Sequence, residues 1–129
     1  MARPHDSAGW LAGLSEAERS RFRERGMVLV GDLLAYLDAD SDRVADLLLV
    51  AERHAKEYGA QAASLEASLG DTVEGFLRFR KPFVDELAIV ASRRHLDTRE
   101  ATDLLVEAES VLDRLLIALM SGHAAARGR

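Results

Sequence analysis

The chain has 129 residues, 17 of them lysine or arginine against 22 acidic, with a net charge of −5 and no cysteine. That length fits one domain with a core that needs no staples. The cysteine count excludes disulfides, thiolate metal sites and cysteine nucleophiles and is compatible with a reducing cytoplasm, and the acidic balance argues against direct nucleic-acid binding, which depends on neutralising phosphates.

Residues 1–14 read as an N-terminal tail, with room for a short helical turn over 7–13 and no apolar signal core in MARPHDSAGW. Helix start signals then recur. Ser15 with Glu18, Asp71 with Glu74 and Asp97 with Glu100 have the capping-box spacing or its aspartate variant. DADSD at 38–42 is a turn, with Ser41 or Asp42 as cap, and Gly70 and Gly122 stand where helices stop. These signals predict helices over 15–38, 42–68, 71–94 and 98–121, hence a helical domain over 15–122 and a C-terminal tail over 123–129. Four helices of similar length with short links predict an all-α single domain, an antiparallel bundle.

The apolar stripes agree with this. The first helix carries Phe22, Leu29, Leu33 and Leu37 at helical spacing; the second Leu48, Ala51, Ala55, Tyr58 and Ala62; the fourth Ala108, Leu112, Leu115 and Leu119. Some helices have more apolar surface than one stripe needs. Met27, Val28 and Leu34 extend round the first, and Val106 and Ile117, eleven residues apart, share a second face of the fourth. A helix apolar all round is buried or sits at an interface. The two readings are a covered central helix and a homodimer surface made by these five residues; a four-helix domain has few places to bury a second face, which favours the homodimer.

No catalytic constellation stands out. Di-iron bundles need paired Glu-x-x-His motifs, whereas Glu52 and His54 are two apart and point to different faces. The four histidines, His5, His54, His95 and His123, share no ligand spacing, and none sits as a proximal haem ligand would. There is no phosphate loop, dinucleotide fingerprint or nucleophile elbow. The chain is read as non-enzymatic, without metal or cofactor. No apolar run approaches the ~18 residues of a membrane span, and ERSRFRER at 18–25 reads as a salt-bridged face rather than a lipid-binding one.

The third helix, GDTVEGFLRFRKPFVDEL at 70–87, raises a separate question. At ~100° per residue, Val73, Phe76, Leu77, Phe83, Val84 and Leu87 fall on one face with Arg80 at its middle. Pro82 removes one hydrogen bond and presses on the carbonyl of Arg78, so the helix is expected to bend near Arg80. A buried guanidinium needs a partner. Either Arg80 pairs with an acid such as Asp32 or Asp113, or it lines a small polar pocket with Tyr58 and His54 that binds an anionic or polar ligand.

Tyr58-Gly59, Asp71-Thr72-Val73, Phe76 with Phe79-Arg80, and Leu112-Asp113 with Leu115-Leu116 resemble the N-terminal sensor domain of RsbR-type (RsbRD-like) bacterial stressosome proteins, over roughly 42–121. The resemblance implies a bundle-like or haem-free globin-like fold. It also implies a dimer that acts in cytoplasmic sensing or signalling through a protein partner, without enzymatic activity. In that family an output domain follows; here only a short tail is expected after 121, so the chain reads as a single-domain relative or a fragment. The alternatives are a structural or assembly protein without ligand, and an effector-binding domain of a transcription regulator.

Overall fold

The computed structural model describes residues 12–78 and 80–128. Most of the turn expected over 7–13 and Phe79 lie outside them. The described residues are all-α: α1 Glu16–Asp38, α2 Val44–Ser64, α3 Leu69–Leu77, α4 Arg80–Arg93 and α5 Thr98–Arg127. They form a helical bundle whose third rod is broken into α3 and α4.

Two of the expected caps are present in full. Ser15 Oγ accepts from the Glu18 amide and Glu18 Oε1 from the Ser15 amide, at 3.1 and 2.9 Å. Asp97 and Glu100 repeat this at the start of α5 at 2.8 and 3.1 Å. The third is displaced. Ser68, not Asp71, caps α3, accepting from the Asp71 amide at 3.0 Å, and Asp71 itself is buried. α2 starts after Arg43 with no side-chain cap, so neither Ser41 nor Asp42 takes that role.

α2 and α4 end alike. After α2, Glu66 has φ 66°, its amide bonds to Ala63 O and the Ala67 amide to Ala62 O. After α4, His95 has φ 54°, its amide bonds to Ser92 O and the Leu96 amide to Ala91 O. Both are Schellman ends with a non-glycine residue in the left-handed region.

Side-chain pairings give the directions. Phe22 meets Tyr58, Arg25 pairs with Glu57 and Asp32 with His54, so α1 and α2 are antiparallel. Glu52 pairs with Arg114, Gly59 meets Leu119 and Lys56 meets Gly122, so α2 and α5 run the same way, side by side. Their seam is lined by Ala51, Ala55, Gly59 and Ala62 facing Ala108, Leu115, Ala118 and Gly122, all buried.

The approach there is backbone to backbone. A Cβ at Gly59 would stand 2.0 Å from Leu119 O, and one at Gly122 would stand 2.1 Å from Lys56 O. Gly122 therefore does not stop the last helix. It lets α5 pass against α2, and the helix continues to Arg127. The tail expected over 123–129 is helical as far as 127, and His123 is buried, its Nε2 2.9 Å from Ala67 O. The carbonyl can only accept, so Nε2–H donates and ties α5 to the α2–α3 link.

α3 and α4 return along α5. The guanidinium of Arg94, just past α4, donates to Leu37 O at 2.6 Å and joins the C-terminal ends of α1 and α4. The Tyr36 hydroxyl bonds to Glu107 and joins α1 to α5. Leu29, Leu33, Leu115 and Leu119 are the largest fully buried side chains, each contributing ~1.5–3 kcal/mol by leaving water.

Candidate functional site

The expected pocket of Arg80, Tyr58 and His54 does not form. Arg80 is the first residue of α4, with its side chain half exposed and its Nη2 2.7 Å from Glu109 Oε1 on α5. The ~100° phase holds across the break: Thr72, Phe76, Phe83, Leu87 and Val90 are buried at one helical spacing, and Arg80 falls between Phe76 and Phe83 on it. α3 ends at Leu77 and Arg80 opens α4, where its long side chain leaves the stripe for Glu109 at the surface. Pro82 falls in the first turn of α4, where the missing amide costs nothing. α3 in turn buries Thr72 and Phe76, while Leu77 is exposed. Arg80 thus pairs with an acid, the first of the two expected alternatives, but with Glu109 rather than Asp32 or Asp113, and at the surface rather than in the core.

Tyr58 is buried in the core, its ring tilted on Phe22 with centroids 4.7 Å apart. Burial raises its phenol pKa, against a smaller pull downward from Arg78. His54 points toward α1, with Nδ1 2.7 Å from Asp32 Oδ2. It lines a shallow surface depression of 130 Å³ with Arg25, Val28 and Glu57. Arg80 lines a different one of 30 Å³ with Phe76, Leu77, Glu109, Leu112, Asp113 and Leu116. The two depressions share no residue. The Asp32 carboxylate occupies Nδ1 of the His54 imidazole, which leaves Nε2 as a single donor or acceptor.

The five residues expected at a dimer interface are all exposed. They do not form one patch. Met27 and Leu34 lie on the flank of α1 nearer α4, Val28 lies on the other flank beside His54, and Val106 and Ile117 share the face of α5 turned away from its core. Val106 also lines an open hollow of 430 Å³ with Leu105, Glu109, Ser110 and Asp113.

A hollow that periodicity did not single out lies between α1 and α4. Val30, Leu33, Leu34, Pro82, Phe83 and Glu86 surround 170 Å³. Its lining is apolar except for Glu86, and it includes none of Arg80, Tyr58 and His54. The signal was available: Pro82 and Glu86 are one turn apart on a single flank of α4, and Val30 and Leu34 likewise on α1.

Among the described residues no three histidine or acidic side chains come close enough together to hold a metal ion, and no helix is long and apolar enough to cross a membrane. No family model, curated protein or solved structure matches the chain.

Proposed function

We propose that this chain is a non-enzymatic regulatory domain that works through protein contact, with a homodimer formed across the outer face of α5. The resemblance to stressosome sensor domains supports the regulatory reading. The observation that carries the dimer is the exposure of Ile117 and Val106, 68% and 64%, on one face of one helix. Large apolar side chains in that arrangement mark contact surfaces more often than idle ones.

The contact has a definite size and chemistry. The stretch from Leu105 to Met120 is ~24 Å long at ~1.5 Å per residue. A strip of that length and about 10 Å width is well below the ~800 Å² per partner of a standard stable interface. The dimer is accordingly weak and reversible, as a regulatory contact requires. Twofold symmetry with antiparallel α5 helices sets Val106 of one copy against Ile117 of the other. Ser110 of one copy then lies opposite Asp113 of the other, and the two Asp113 carboxylates lie close together on either side of the axis.

Sedimentation velocity over a concentration series tests this. Ile117→Asp weakens self-association more than tenfold, and Asp113→Asn tightens it about two- to fivefold by removing a like-charge pair. A monomeric mass at high micromolar concentration overturns the proposal, as does an unchanged dimer in Ile117→Asp.

A further inference from the structure

We propose that the cleft between α1 and α4 binds a small aryl cation, a single ring bearing an ammonium group. This site is separate from the α5 face and the inference does not rest on the dimer.

The two helices run side by side and are clamped at one end, where Arg94 donates to Leu37 O at 2.6 Å. Below the clamp they stand apart. Val30, Leu33 and Leu34 face Pro82, Phe83 and Glu86 across 170 Å³. The floor is apolar: Leu33 and Phe83 are buried. The rim is open at Leu34 and Pro82. An apolar cavity of ~150 Å³ is known to accept benzene, so this one takes a ring with room for a short tail.

Charge selects the tail. Glu86 is the one charged residue in the lining. Its carboxylate approaches Arg93 at 3.6 Å, and the Arg93 side chain is largely exposed. That separation is too long for a hydrogen bond, and an exposed pair of this kind is worth ~0–1 kcal/mol. An ammonium group that reaches Glu86 while its ring fills the cleft can displace Arg93 at little cost. Arg94, at the clamped end, is occupied by Leu37 O and Asp38. No cation in the lining is available to a carboxylate or phosphate.

The test is a titration of the full 129-residue chain, followed by two-dimensional amide NMR, with phenethylamine, toluene and 3-phenylpropionate. Phenethylamine shifts the amides of residues 30–34 and 83–87 saturably, with Kd on the order of 1 mM for a ligand of that size. 3-Phenylpropionate binds at least tenfold more weakly. Glu86→Gln, a surface change that leaves the core intact, weakens the amine up to about fivefold and leaves toluene unaffected. Leu34→Trp, which fills the cleft from its rim, abolishes the shifts. No saturable shift, shifts centred elsewhere, equal binding of the amine and the acid, or an amine affinity unchanged in Glu86→Gln each overturn the proposal. So does protection of the cleft by a second copy of the chain on dimerisation.

Discussion

Three of the helical glycines, Gly31, Gly59 and Gly122, have different surroundings, and exchanging them for alanine separates packing from propensity. Gly31 in α1 has nothing within 4 Å of the place a Cβ would occupy. Gly31→Ala therefore shows the intrinsic gain alone, a stabilisation of about 0.5–1 kcal/mol. At Gly122 the same methyl would stand 2.1 Å from Lys56 O and 2.8 Å from the carbonyl carbon, and at Gly59 2.0 Å from Leu119 O. Carbon and oxygen need at least ~3.3 Å even in their closest favourable contact. The helices must therefore part by roughly 1 Å along the whole seam, because backbone has no rotamer with which to yield. Parting them loosens Ala55, Ala62, Ala108 and Ala118, whose small side chains cannot follow. The overpacking penalty of ~1–3 kcal/mol, occasionally more, outweighs the propensity gain. We expect Gly122→Ala and Gly59→Ala each to destabilise by about 1–3 kcal/mol in urea unfolding. The pair is sub-additive, since one separation relieves both clashes. If Gly122→Ala is as stabilising as Gly31→Ala, the helices do not touch there and the described seam is wrong.

Arg80→Met changes urea stability by less than about 1 kcal/mol, because its pair with Glu109 is exposed; a loss of several kcal/mol would restore the buried reading. His95→Gly and Glu66→Gly each raise thermal stability, by about 0.5–1 kcal/mol net of the added freedom of the unfolded chain, since both positions hold left-handed backbone; an unchanged midpoint for both counts against the Schellman ends. Tyr58 and Tyr36 have raised phenol pKa values, chiefly from burial, with Glu107 adding to the rise at Tyr36. A raised folded value means that stability is intact below the unfolded value of ~10 and falls as pH rises past it. Urea midpoints therefore drop above about pH 10, and less steeply in Tyr58→Phe.

The parts of the fold that the sequence displayed are those whose signals are local. Ser15 with Glu18 and Asp97 with Glu100 each settle a helix start within four residues, and the stripes of α1, α2 and α5 repeat over many turns. The misread positions depend on distant chain. A glycine late in a helix signals either an end or a close approach, and at Gly122 the choice is made by Lys56. Pro82 signals either a kink or a fresh first turn. The second reading holds here, with Pro82 in the first turn of α4. Periodicity placed Arg80 correctly between buried Phe76 and Phe83, but it does not fix where a long charged side chain ends, and this one leaves the stripe for Glu109 at the surface. The candidate site failed at that step.

The bundle is unequal on its two sides, and the inequality bears on regulation. α2 and α5 meet at backbone distance, so that seam has no slack and transmits displacement rather than absorbing it. α1 and α4 are held by the Arg94 clamp at one end, with an apolar gap below it. Opening free energies are spread unevenly in such a structure, and the side with fewer buried contacts moves first. α4 also lies on α5. Arg80 reaches Glu109, and Glu109 lines the hollow that includes Val106, Ser110 and Asp113. A ring entering the α1–α4 cleft presses on Pro82 and Phe83, two and three residues from Arg80. The cleft and the α5 face are thus connected through one short element, the first turn of α4. If both sites act as proposed, their coupling is reciprocal: the factor by which phenethylamine changes dimer affinity equals the factor by which dimerisation changes amine affinity.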